Sequence, residues 1–243
     1  MAALTLQGTE FSFSVLGADA SKNGFWAKTE TTLKNEYISY REIGETFSKD
    51  EIESWIVSAF RLLAGGFVSE YTLAFEKAGL TVDFYPYAAG NKECSREDRR
   101  LHDCVMSVHF LMRSSDKKRL LGGVYSLILH RKQIEAFAIA LKAEYEKAFA
   151  PYEAKTGKYL FVGVSPKGCK GCSYWYLDES KSTKVGDYVW VRMGRRQIEQ
   201  IVLVDTVRYC DDDTAPIELN RVKRVLRKAI PPAEWEQTSE CDK

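Results

Sequence analysis

Histidine is scarce in this chain, cysteine is thinly spread, and long apolar runs are missing. The six cysteines, Cys94, Cys104, Cys169, Cys172, Cys210 and Cys241, are spread over 243 residues. That is too dilute for the disulfide framework of a small secreted domain, so reduced thiols are expected. No uninterrupted apolar stretch approaches the ~18 residues a membrane helix needs, which removes a membrane-spanning helix and a membrane partner from the expectations. The opening residues MAALTLQGTEFSFSVLG lack a basic stretch followed by a long apolar core, so a cytoplasmic location is expected. Walker loops, the dinucleotide glycine fingerprint, HExxH and GxSxG are all missing, and with them the enzyme classes they mark. The expectation is a protein that is not an enzyme and takes no cofactor.

What is present changes character near Pro151. Residues 1–150 hold 19 Lys and Arg against 20 Asp and Glu, whereas residues 155–230 hold 15 against 9, an excess of +6. The reading is therefore two modules, an α+β domain over 1–150 and a small β-barrel domain over 156–230, followed by a polar tail over 231–243. In the first, Phe11, Phe13 and Val15 alternate with polar residues, and Phe25 to Ile38 is extended, so both read as antiparallel strands. Ser48 and Glu51 form a Ser-x-x-Glu capping box at a helix start. Ile52, Trp55, Ile56, Ala59, Leu62 and Leu63 then share one helical face, up to Gly65-Gly66.

A hairpin is expected over Tyr71–Glu76 and Leu80–Tyr85, turning at Gly79, with further strands at Cys104–Met112 and Val124–Leu129. Between them, NKECSREDRRLHD (residues 91–103) is dense in both charge signs and reads as a solvated excursion. A last helix carries Ile134, Phe137, Ala138, Leu141, Tyr145, Ala148 and Phe149 on one side. The expected fold class is α+β, an antiparallel sheet with helices on one face.

The strand from Phe25-Trp26 into NEYISY, the SKDEIESWI helix ending in LLAGG, the EYTLAFEKAGLTVDFYP hairpin and the GGVYSLILHRKQIEAF strand-to-helix join cover residues 11–149. In these the module resembles the WapI family of bacterial immunity proteins, cytoplasmic antidotes to toxic tips of contact-dependent toxins. The resemblance implies a non-enzymatic protein that neutralises a cognate toxin domain by binding and occluding it. The excursion at 91–103 and the whole second module depart from the short members of that family. Under this reading Glu93, Glu97, Asp98 and Asp103 are partner-binding residues, acids placed to meet a basic toxin surface.

The second module offers short aromatic strands at Lys158–Val164, Ser173–Leu177 and Val185–Val191, with a turn at Gly186-Asp187 and an extended run over Ile198–Tyr209. Its V-G-D-x-V-x-V run is similar to that of SH3-like barrels, an analogy of fold that names no ligand. A closing helix is expected from Ile217, with Leu219, Val222, Val225, Leu226 and Ala229 on its apolar side, stopped by Pro231-Pro232.

Cys169-Lys-Gly-Cys172 has the spacing of a zinc knuckle, but a tetrahedral site needs four ligands and no second pair exists. Plain reduced thiols are the stronger reading, and no metal is assigned. His102-Asp103-Cys104 cannot make a triad, because neighbours on an extended chain point to opposite faces. His109 and His130 read as core or capping residues. Tyr174 with Tyr176, and Tyr188 with Trp190, would share strand faces close to Arg192, Arg195 and Arg196. Aromatics beside guanidinium groups can stack bases and meet phosphates, which makes those three arginines candidate partner contacts. The alternative function is thus a nucleic-acid- or protein-binding adaptor acting through the barrel. Against it, aromatics of this kind also fill barrel cores, and arginines also form solvated rims.

Overall fold

The computed structural model describes residues 2–6, 9–19, 26–67, 69–86, 104–113, 120–150, 157–164 and 174–230. The chain divides into two compact units, Met1–Tyr152 and Glu153–Lys243.

In the first unit, strands β1 (Ala2–Leu6), β2 (Thr9–Asp19), β3 (Trp26–Lys34) and β4 (Ser39–Ser48) pair in chain order as an antiparallel sheet. Helix α1 (Lys49–Leu63) follows directly. The capping box is formed: the Ser48 hydroxyl accepts the Glu51 amide at 3.2 Å, and Glu51 accepts the Ser48 amide at 2.6 Å. A cap of this kind stabilises a helix by about 1 kcal/mol. A second antiparallel meander then runs through β5 (Tyr71–Phe75), β6 (Leu80–Tyr85), β7 (Val105–Arg113) and β8 (Leu120–His130). A single 3-10 turn over Glu76–Ala78 joins β5 to β6, and Gly79 takes the positive φ of 59° that closes the hairpin. Helix α2 (Arg131–Phe149) ends the unit.

Period-two alternation sends Phe11, Phe13 and Val15 of β2 and Val82 and Phe84 of β6 into one core, which also takes the apolar stripes of both helices. Trp55 of α1 sits at its centre. Its ring lies 5.2 Å from Phe13 (β2), 6.4 Å from Phe47 (β4), 5.5 Å from Phe75 (β5) and 5.2 Å from Phe137 (α2). At a bulge in β2 the register slips between Val15 and Gly17, and the Val15 amide donates instead to the Glu144 carboxylate of α2 at 2.7 Å.

The second unit holds β9 (Tyr159–Val164), β10 (Tyr174–Asp178), β11 (Tyr188–Met193), β12 (Ile198–Leu203), β13 (Thr206–Cys210) and β14 (Lys223–Lys228). Their order is β12-β11-β14-β10-β9-β13, with β14 antiparallel to β11 and parallel to β10. The two edge strands are successive halves of one run, linked only by Val204 and Asp205, so the sheet bends round until its edges meet. Val162, Val164, Tyr176, Val189, Val191 and Val204 fill the inside. A second cluster of Phe161, Leu177 and Cys210 lies on the other side of β9 and β10 under Ala215, Leu219 and Val222. At Gly163 a Cβ would come within 2.5 Å of Thr206 Cγ2 and 3.2 Å of the Trp175 ring, so only glycine admits this close crossing.

These observations overturn the α+β expectation. Fourteen strands in three sheets stand against two α-helices among the described residues, so the fold is mainly β. The first unit has two sheets where one was expected, because β1 and β4, which the sequence reading did not mark as strands, build a sheet of their own with β2 and β3. The expected closing helix from Ile217 is also absent: the chain turns over 219–221 and then enters β14. The three-residue spacing of Leu219, Val222 and Val225 has another cause. Leu219 and Val222 pack on the outer cluster while Val225 reaches the inner one. The tail over 231–243 lies outside the described residues. No described helix is long and apolar enough to cross a membrane.

Trp55→Ala should cost about 3–5 kcal/mol, read by chemical denaturation. Trp55→Phe should cost clearly less, because the buried indole N–H has no hydrogen-bond partner among the described residues, so little polar bonding is lost with it.

Candidate functional site

Parity along β5–β8 that sends Val82, Phe84, Met106, Val108, Phe110, Leu127 and Leu129 into the core puts Thr72, Asp83, His109 and Ser126 on the opposite, outer face. These four form one hydrogen-bonded row across four strands. The Thr72 hydroxyl donates to Asp83 Oδ1 at 2.6 Å, Asp83 Oδ2 lies 3.0 Å from His109 Nε2, and His109 Nδ1 lies 2.7 Å from the Ser126 hydroxyl. A ring protonated on Nε2 satisfies both contacts at once, donating to the carboxylate and accepting from the serine. The His109 side chain is 28% exposed and that of Asp83 22%. On the same face Val124 and Ile128 of β8 are exposed, at 64% and 55%.

A carboxylate, an imidazole and a hydroxyl in sequence are the parts of a proton relay, but acyl transfer also needs donors aimed at a developing oxyanion. The direct chemical effect is to hold four polar side chains in fixed orientations on the outer face, bordered by two exposed apolar side chains. Such preorganised polar and apolar mosaics suit recognition of a protein surface.

The structure corrects the reading of His109 as a core residue: it sits at the centre of this outer row. His130 does stand at a helix start, its amide donating to the Gln133 carboxamide at 3.0 Å. The acidic candidates Glu93, Glu97, Asp98 and Asp103 lie outside the described residues, in the connection between β6 and β7. His102, in the same connection, and Cys169 and Cys172, between β9 and β10, also lie outside the described residues. Cys104 and Cys210 are buried and form no disulfide among the described residues, and burial pushes the Cys210 thiol up. No three His, Cys, Asp or Glu side chains among the described residues gather as a metal site.

Arg192, Arg195 and Arg196 do come together on one hairpin, at the end of β11 and in the turn into β12. Arg192 makes a two-pronged contact with Glu199 across the strand pair, at 3.0 and 3.2 Å. Nearby, Lys228 pairs with Asp187 at 2.8 Å and Arg224 with Glu179 at 3.2 Å. Of the four aromatics, Tyr176, Tyr188 and Trp190 are buried and only Tyr174 is exposed. Arg227 stacks 4.9 Å over the Trp190 ring. Arg192, Arg224, Arg227 and Lys228 are thus occupied within the unit, whereas Arg195 and Arg196 are exposed in the turn, and most of the rings belong to its interior.

Comparisons with protein-family models, with curated proteins and with solved structures found no match.

Two carboxyl groups have strongly shaped surroundings. Burial pushes the Glu53 carboxyl on α1 up, and the Tyr145 hydroxyl and Lys49, which favour its charged form, offset only part of this. Burial also pushes Asp178 up, but donations from Ser180 and Thr183 outweigh it, leaving this carboxyl below its ordinary value. Asp178 accepts the amides of Ser180, Ser182 and Thr183 at 2.9, 3.1 and 2.9 Å and so ties down the turn leaving β10.

The folded state therefore holds a proton on Glu53 that the unfolded chain releases near pH ~4.3, and stability falls as pH rises through the raised folded pKa. Asp178 acts the other way: its contribution is present above the unfolded pKa and is lost as pH falls through the lowered folded one. In denaturant titrations from about pH 3 to about pH 7, Glu53→Gln should gain on the wild type as pH rises. Asp178→Asn should lose most at neutral pH and least in acid.

Proposed function

We propose that this chain is a non-enzymatic immunity protein that binds a cognate toxin domain and neutralises it by occlusion, with the outer face of β5–β8 as the contact surface. The observation that carries the reading is the hydrogen-bonded row Thr72–Asp83–His109–Ser126 beside exposed Val124 and Ile128. A face whose polar side chains are already held in place loses little conformational entropy when a partner closes over it. The class of partner comes from the resemblance of residues 11–149 to the WapI immunity family. Glu93, Glu97, Asp98 and Asp103, in the connection that leaves β6 and enters β7, would speed encounter with a basic toxin domain through charge complementarity.

Co-expression with the toxin domain encoded beside it should restore growth, and the two purified proteins should form a complex in size-exclusion chromatography. Asp83→Ala with His109→Ala should weaken that complex by about tenfold or more, a loss typical of contacts that matter at an interface. Raising the salt should slow association more than it speeds dissociation. Undiminished toxicity together with no complex would sink the proposal. A complex untouched by the double substitution would move the contact off this face.

A further inference from the structure

The two sheets of the first unit leave strand edges, and these edges are not alike. On the first sheet, edge strand β4 carries Arg41, Glu42 and Glu45, charges that discourage a foreign strand from pairing. Strands β1 and β5 are edges of only five residues each. In the second unit the edge strands are joined to one another through Val204 and Asp205. Strand β8 differs from all of these. It is eleven residues long, it pairs with β7 on one side and with no other strand among the described residues, and Leu120–Leu129 contains no Lys, Arg, Asp, Glu or Pro. Its pairing with β7 is regular from Val124 to His130, and the register slips only beyond Val124. From Val124 to Leu129 the edge is apolar, uncharged, free of proline and regularly paired on its other side, which makes it a template for another strand.

We propose that the occupant is a second copy of this chain, with the two β8 strands pairing antiparallel about a two-fold axis at Ser126. Two features favour a copy over a foreign peptide, and a third favours any incoming strand. First, an uncharged strand offers a foreign charged segment nothing to match, whereas its own copy is equally uncharged and meets no repulsion. Second, a two-fold at Ser126 sets Val124 of one copy opposite Ile128 of the other, twice. These are exposed apolar side chains of the same face, 64% and 55% open to solvent, and cross-strand apolar pairs are the unit of sheet stabilisation. Third, the strand is already held in position: the Tyr125 hydroxyl, on the core side, bonds to the Thr9 hydroxyl at 2.8 Å and accepts from the Asn35 carboxamide at 3.3 Å. The contact is isologous, so it closes at two copies and does not propagate. It joins two four-stranded sheets into one eight-stranded sheet and leaves the Asp83–His109–Ser126 row of each copy on the continuous outer face. It shares exposed Val124 and Ile128 with the toxin-binding proposal, and self-association measured without any toxin tests it apart from that proposal.

Sedimentation of the full chain over a range of concentrations tests it, with folding checked by circular dichroism, since Val124 and Ile128 lie outside the core. The wild type should sediment as a dimer that dissociates on dilution. Val124→Lys with Ile128→Lys sets like charges opposite each other at two places and should raise the dissociation constant by about tenfold or more. Val124→Lys with Ile128→Glu sets opposite charges across the same axis and should restore the dimer. A wild type that stays monomeric at every concentration overturns the proposal, as does a dimer that the double lysine variant leaves intact. Failure of the lysine and glutamate pair to restore association overturns the two-fold at Ser126.

Discussion

Much of the first unit depends on one aromatic contact set, the indole of Trp55 against Phe13, Phe47, Phe75 and Phe137. Those four rings come from β2, β4, β5 and α2, so a single side chain on α1 ties together both sheets and the other helix. Neither four-stranded sheet could bury its inner face alone. Edge-to-face and tilted ring contacts are directional, which sets how the layers sit on each other as well as how much area they bury. The cap at Ser48 matters for the same reason, since it fixes where α1 begins and hence which of its residues faces the other rings.

The second unit solves its packing differently. A short chain forms a core by bending one run, β12 into β13, so that the sheet meets itself around a cluster of valines and Tyr176. Tight passage at Gly163 and the carboxylate of Asp178, which gathers three amides of one turn, allow the bend and hold it. The arginines and lysines of this unit are mostly tied to carboxylates or laid on rings. Part of its positive charge is therefore neutralised locally while an excess remains, and exposed ion pairs of this kind add little stability of their own.

The surface best suited to recognition is the outer face of β5–β8. Its polar row arises from strand parity: once Met106, Val108 and Phe110 are buried, Ser107 and His109 must face the other way, and pairing brings His109 beside Ser126 while Asp83 lies across from Ser107. The same parity leaves Val124 and Ile128 in solvent. The outer polar row and the β8 edge, unpaired among the described residues, are thus two consequences of one meander that ends on an uncharged strand.

Much of the local structure was legible in the residues. Ser48 with Glu51, the Ile52-to-Leu63 stripe, Gly79 in its hairpin and the buried face of α2 are local signals, because a cap, a helical face or a positive φ involves neighbours a few positions apart. Strand β4 was not legible, since SYREIGETFS has a glycine at its middle and buries only Phe47; its identity comes from pairing with β3. Nor was β14, whose apolar spacing imitates a helix because it serves two clusters on opposite sides of a sheet. The row around His109 could have been suspected from parity in TVDF, VMSVHF and VYSLIL, but not its order, which depends on register. The sequence by itself determined where helices start, where turns fall and which residues alternate inward, because those follow from short-range sterics and hydrogen bonding. Only the tertiary structure decided that the strands form three sheets, which edge stays open and which side chains meet on the outer face. Pairing is made between segments far apart in the chain, and no local preference encodes it.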